Sequence, residues 1–325
     1  MLRILSCTPR EQRFDQIEQL ETLSVLTEAA DQVFWLDLLK PAEQELAAIA
    51  EAFHLHPLAI EDTTHPHQRP KVEEYDTFFF LVFYTAHLDA PRRKVQVEEV
   101  SMFLGTNYLI TIHQSPLPEL EEAEARWRRN GHQLDRGIGI LLYSLLDSIV
   151  DHYFPLVDDL VEAAEELEDR IYSGANRGTP ATFALLDLKK AFAAFRRVVA
   201  PERDILNVLT NRDSPIFDEH LLVYFRDVSD HLLRVADTLD LYRDQLTSTM
   251  DASLAVASNN LNKVMRTLTA MSIILMTDAL LAGIWGMNFV NIPELQWQYG
   301  YFAALALMGV LTFGLFLFFK RLQWW

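Results

Sequence analysis

Gly286-Met287-Asn288 occupies a short polar turn between two long apolar runs near the end of the chain, and every other segment takes its meaning from that arrangement. From Thr267 to Pro293 the sole charged residue is Asp278, and from Leu295 to Phe319 there is none. Each run exceeds the roughly 20 apolar residues that span ~30 Å of hydrocarbon at ~1.5 Å per residue. They are the only two segments expected to cross a bilayer, because everything before Arg266 is too polar. The expected plan is a large soluble part on a two-helix membrane anchor, with the Gly-x-Asn turn at the far side.

Basic residues near the spans set the expected orientation. Lys263 and Arg266 precede the first span, Lys320 and Arg321 follow the second, and Phe289 to Gln298 between them contains neither Lys nor Arg. The positive-inside rule then places both termini in the cytoplasm of a multi-pass protein of the cell (inner) membrane. Trp297, Tyr299 and Tyr301 on one side, and Trp324 and Trp325 on the other, suit the two interfacial aromatic belts. Met1 to Pro9 reads as a short strand, with no basic start and apolar core of a secretory signal.

Composition narrows the function classes. Against 28 Lys and Arg stand 46 Asp and Glu, a formal charge of −18. Nucleic-acid binding, which needs basic patches for phosphate, is therefore not expected. Such a charge concentrates cations instead. The single cysteine, Cys7, excludes an internal disulfide and a multi-cysteine zinc site. No Gly-rich run is followed by Lys-Ser/Thr, so no nucleotide-phosphate loop is expected. The expectation is no enzyme and no organic cofactor.

Residues 1–135 read as an α/β domain with helices flanking a mixed sheet. Val33 to Leu36, Phe78 to Thr85, Val95 to Leu104 and Tyr108 to Ile112 are rich in β-branched and aromatic residues. Pro41 to Phe53 carries a 3.6-residue apolar period with Pro at its start. Residues 136–215 read as antiparallel helices: Ile138 to Ser173, with a kink expected at Pro155, and Ala181 to Leu209, with a bend at Pro201. From Ile216 to Ala282 there is neither Gly nor Pro, the residues that break helices. Residues 216–285 are thus expected to form one stalk helix running on into the first span. Residues 286–298 would then be the external loop, 299–319 the second transmembrane helix and 320–325 a basic tail. A stalk ~100 Å long cannot bury its apolar stripe alone, which points to assembly with copies of itself.

Particular residues carry a family resemblance. Asn262-Lys263-Val264-Met265-Arg266-x-Leu268-Thr269, Ala282-Gly283-Ile284-Trp285-Gly286-Met287-Asn288-Phe289, Pro293-Glu294-Leu295 and Gly300-Tyr301 are similar to segments of the CorA family of magnesium/cobalt channels. So are His56-Pro57-Leu58-Ala59-Ile60-Glu61-Asp62, Gln68-Arg69-Pro70-Lys71-Val72-Glu73 and Tyr224-Phe225-Arg226-Asp227. The resemblance covers nearly the whole chain in order. It implies a funnel-shaped homopentamer in a lipid bilayer that admits divalent cations, with the first span of each protomer lining the pore.

That implication assigns roles. On a helix turning about 100° per residue, Met265, Leu268, Ser272, Met276, Ala279 and Gly283 share one face, which would line the pore as a mostly apolar gate. The same stripe could instead pack against the second span. In the selectivity loop Gly286, Met287, Asn288 and Glu294 are the candidates. Mg²⁺ sheds its waters reluctantly, so a ring of Asn288 carboxamides would bind first-shell waters, and Glu294 would attract cations. Gly286 would permit a tight turn; equally, Gly286 and Asn288 are common helix C-caps. Mg²⁺ would be both cargo and regulator, Co²⁺ and Ni²⁺ further candidates for transport. Asp89, Asp227 and Asp251 fall where family members place regulatory ion sites between protomers.

The acids Asp158, Asp159, Glu162, Glu165, Glu166, Glu168 and Asp169 read as a solvated helix face. His54, His56, His65 and His67 read as surface histidines lacking a third metal ligand. Thr277-Asp278-Ala279 departs from the family pattern of Pro-Leu-Thr. A lone intramembrane carboxylate costs several kcal/mol, so Asp278 is expected to be protonated and to donate a hydrogen bond to a Thr or backbone carbonyl of a neighbouring helix. An alternative is proton coupling, as in a ZntB-like zinc transporter on the same scaffold.

Overall fold

The computed structural model describes residues 2–9, 13–17, 32–65, 68–89, 94–129, 137–172, 179–210, 219–288, 292 and 297–324. Seven strands form one sheet: β1 (Leu2–Thr8), β2 (Arg13–Ile17), β3 (Val33–Leu39), β4 (Lys71–Glu74), β5 (Phe79–Asp89), β6 (Lys94–Leu104) and β7 (Tyr108–His113). Their order is β2-β1-β3-β7-β6-β5-β4. Only β3 and β7 run parallel, with Leu36 opposite Ile110, so the sheet is mixed as expected. Phe79 to Tyr84 is apolar without alternation because both faces of β5 are covered.

One face, built on Phe34, Leu36, Phe80, Val82, Phe103 and Ile110, packs against α1 (Glu43–Ala52) and α2 (Pro57–Thr64) through Leu46, Ile49 and Ala59. On the other face Trp35 meets Trp127 of α3 (Pro118–Arg129) edge-on at 6.4 Å. Cys7 is buried in this unit, which pushes its thiol up to about 11 and leaves it unreactive. The short strands β2 and β4 and the helices α2 and α3 had no sequence-level counterpart, their apolar periods being too short to register.

Two expectations about the helices are corrected. The stretch after residue 137 is broken at His152 into α4 (Ile138–Asp151) and α5 (Tyr153–Tyr172), with no break at Pro155. Pro155 lies in the first turn of α5, where its missing N–H would have had no helical partner. In addition, Ile138–Tyr172 is long and apolar enough to cross a membrane, so two spans were too few by composition alone. Its apolar window is 72% buried within the protein, whereas those of the two later helices are 6% buried. A core helix and a span have the same composition; their surroundings separate them. Pro201 lies inside α6 (Thr179–Thr210), which continues through it.

At the edge of the sheet β5 outruns β4, whose pairing stops at Val82. Two side chains complete the backbone of Tyr84: its N–H donates to Glu202 Oε1 at 2.9 Å, and its carbonyl accepts from the Tyr153 hydroxyl at 2.5 Å. Glu202 is fully buried, and burial holds its carboxyl well above the usual carboxylate range. The folded state thus retains a proton that the unfolded chain loses above about 4.5. This contribution is present below that pH and declines as pH rises toward the raised value. Each pH unit in that window costs about 1.4 kcal/mol. Glu202→Gln keeps the shape and both hydrogen-bond roles, and melting of the full chain in detergent should show it gaining on the parent as pH rises above 4.5. Parallel pH profiles would remove Glu202 from the explanation.

The chain divides into two compact units, Met1–Thr247 and Ser248–Trp325. Helix α7 (Glu219–Trp285) runs 67 residues and contributes to both. The second unit adds α8 (Gly300–Arg321).

Candidate functional site

In the second unit α7 and α8 pack as a pair. Ala270 and Phe319 are buried, and Thr267 Oγ1 donates to the Trp324 carbonyl at 3.0 Å. Further along, Thr312 Oγ1 donates to Asp278 Oδ2 at 2.7 Å. The partner is a Thr of the neighbouring helix, as expected, but the direction is the reverse of the expected one: the hydroxyl donates and the carboxyl accepts. Oδ1 of Asp278 is buried and has no hydrogen-bond partner among the described residues.

Met265, Leu268, Ser272, Met276, Ala279 and Gly283 are all exposed in the single chain, Leu268 at 65% and Met276 at 71%. The covered side of α7 carries Thr267, Ala270, Ile274, Thr277, Asp278 and Leu281. The stripe therefore does not form the seam with α8, and it is open to copies of the chain.

After Trp285 the helix ends without a left-handed residue. Among the described glycines only Gly137 has positive φ, so Gly286 is not the left-handed cap its sequence context allows. Its N–H donates to the Ala282 carbonyl at 2.9 Å, and a Cβ there would lie 3.1 Å from the same oxygen. Gly286 thus lets the last turn close tightly. Met287 and Asn288 follow, both exposed. Glu294 lies outside the described residues.

The first unit gathers three ligand types that the sequence did not bring together. Oxygens of Asp147 and Asp227 and a ring nitrogen of His231 all lie within 4.8 Å of one another. Asp147 comes from α4; Asp227 and His231 are one turn apart on α7, with His231 Nε2 3.9 Å from Asp227 Oδ1. Asp147 is buried, which raises its carboxyl above the ordinary range, while Arg126 pulls the other way. The Arg126 guanidinium bridges Asp147 and Asp151, fixing the carboxylate's direction. His231 Nδ1 is buried without a hydrogen-bond partner among the described residues. Two carboxylates and an imidazole can bind a divalent cation, the oxygens suiting Mg²⁺ and the nitrogen favouring Co²⁺ or Ni²⁺.

Asp227 was a sequence candidate; Asp147 and His231 were not. Asp227-x-x-x-His231 on a Gly- and Pro-free helix was the available signal, but Asp147 is 80 residues away in the chain and only folding brings it close. Asp89 ends β5, where Gln96 Nε2 reaches its Oδ2 at 3.4 Å. Asp251 lies exposed on α7 in the second unit. His56 caps α2 by accepting from the Leu58 N–H at 3.2 Å, a structural duty; His67 is outside the described residues. Among the acids of α5, Glu165 accepts from Tyr242 and Glu168 from Gln245, so part of that face contacts α7 rather than solvent alone.

The model of the family described as "CorA-like Mg2+ transporter protein" matches residues 30–321. The cobalt/magnesium transport protein CorA of Thermotoga maritima is 33% identical over 277 residues, 85% of this chain and 78% of that protein. The zinc transport protein ZntB of Pectobacterium carotovorum is 22% identical over 256 residues, 79% of this chain and 77% of that one. The complete structure of the CorA magnesium transporter from Methanocaldococcus jannaschii superposes with a TM-score of 0.81 at 23% identity, covering 99% of this chain and 98% of that one.

Proposed function

The chain belongs to the family of CorA-like Mg²⁺ transporters, and from that premise we propose that it admits Mg²⁺ to the cytoplasm through a pore shared by five copies. It is a divalent-metal transporter of the membrane, in a family of transporters rather than enzymes. The observation that carries the reading is the exposed Gly286-Met287-Asn288 turn at the end of a 67-residue helix whose apolar window is 6% buried. Such a helix needs lipid on one side and copies of itself on the other. Inward movement of a divalent cation at −100 mV releases about 4.6 kcal/mol, twice the ~2.3 kcal/mol per charge, so no catalytic group is required.

Regulation belongs to the cytoplasmic carboxylates. Mg²⁺ held by Asp147 and Asp227, and between protomers by Asp89 and Asp227, would offset carboxylate repulsion and keep the ring closed. Asp251 would serve similarly between stalks. Loss of the ion would let protomers part. Both termini are cytoplasmic in this reading.

The experiment is flux into proteoliposomes, driven by voltage or by a pH gradient. Voltage-driven Mg²⁺ entry supports the proposal, pH-driven Zn²⁺ entry supports the ZntB-like alternative, and no flux favours a tethered sensor. Asp278→Asn sharpens the choice, since the amide keeps the shape and the bond to Thr312 but cannot titrate. We expect its Mg²⁺ flux to match the parent at acidic and neutral pH. Loss of flux, or loss of a pH dependence present in the parent, would assign Asp278 to proton coupling.

A further inference from the structure

We infer that Glu119 and His87 form a transition-metal site in the soluble unit, separate from the Asp147, Asp227 and His231 cluster. Glu119 is the second residue of α3, and its side chain has no exposure to solvent. Among the described residues neither carboxylate oxygen has a hydrogen-bond partner. An unpaired carboxylate in the interior is among the most costly groups a fold can bury. The group facing it is the imidazole of His87 on β5, whose Nε2 lies 3.6 Å from Glu119 Oε1.

That separation is too long for a hydrogen bond. It suits two ligands of one ion: donors each about 2.1 Å from a metal and 3.6 Å apart subtend about 118°, near the tetrahedral value. A further oxygen stands close, since Thr85 Oγ1 lies 3.5 Å from the same nitrogen. Thr85 and His87 are two apart on β5 and so share a face. Thr85 is fully buried, whereas the His87 side chain is 40% exposed. The imidazole thus gives an ion a way in from solvent, and the carboxylate holds it from within. The neighbouring Tyr153 hydroxyl is committed to Tyr84 and Glu202 and does not compete. A nitrogen and a carboxylate, completed by water, select Zn²⁺, Co²⁺ or Ni²⁺; Mg²⁺ asks for six oxygens.

The test uses the full chain in detergent, stripped by chelator and then loaded with Zn²⁺ or Co²⁺. Metal retained per chain after desalting is read by elemental analysis, and the metal-dependent rise in Tm by thermal melting. We expect His87→Gln and Glu119→Gln each to retain one equivalent of Zn²⁺ fewer than the parent and to lose most of the Zn²⁺-dependent rise at this site. Asp227→Ala, which disables the other cluster, should keep that rise. His87 is partly exposed, so His87→Gln folds even where the buried change does not. Zn²⁺ content in His87→Gln equal to the parent's overturns the proposal. So does a drop in Tm that is the same with and without Zn²⁺, because that is the mark of a direct His87–Glu119 ion pair.

Discussion

Asn288→Ala is expected to abolish selective Mg²⁺ flux while leaving folding and assembly intact. Asn288 is exposed beyond the last turn of α7, so its side chain is not packed against any described part of the single chain. Its amide is the polar group that five copies of the turn would present to a hydrated ion. A ring of carboxamide oxygens can hold first-shell waters of Mg²⁺ without stripping them, which a methyl group cannot do. Flux into proteoliposomes should fall by roughly tenfold or more, since a loss of only about 1.4 kcal/mol summed over the five contacts of the ring is already a factor of ten. Selective flux at the parent rate would place the filter elsewhere. Met287→Ala in the same turn is the control, and the loss should be smaller.

Asp227→Ala should remove most of the protection that Mg²⁺ is expected to give the first unit against proteolysis. Ligand binding to the folded state stabilises it in proportion to the logarithm of ligand concentration over Kd, so losing a ligand moves the whole protection curve. The Mg²⁺ concentration for half protection should rise about tenfold or more, within the range seen when groups around a metal are removed. Asp227 is 60% exposed at its side chain, which separates loss of metal from loss of fold. His231→Ala should affect Co²⁺ more than Mg²⁺, because only the softer ion gains from imidazole. Asp89→Ala tests the contact between protomers: protection unchanged there but lost in Asp227→Ala would confine the ion to the Asp147, Asp227 and His231 cluster. Protection unchanged in both variants would remove these carboxylates from regulation.

The sequence by itself determined the periodic and the punctuated features. Absence of Gly and Pro from Ile216 to Ala282 was enough to foresee α7, because helix propagation needs only the absence of breakers along an apolar stripe. The apolar strands β5 and β7 were visible for the same reason, their composition being set by burial on both faces. A charge-free run exposed Asp278 as an exception, and cost alone implied a partner for it. Tertiary structure decided which partner, since Thr312 lies 34 residues away and nothing local marks it. Packing alone also decided that Ile138–Tyr172 is core and that Asp147 meets Asp227 and His231. Packing likewise set Glu202 and Tyr153 to complete Tyr84 at the sheet edge, and left Glu119 buried opposite His87. Periodicity records which way a residue faces along its own element. It carries no information about which element comes to lie opposite, and sites are made from that meeting.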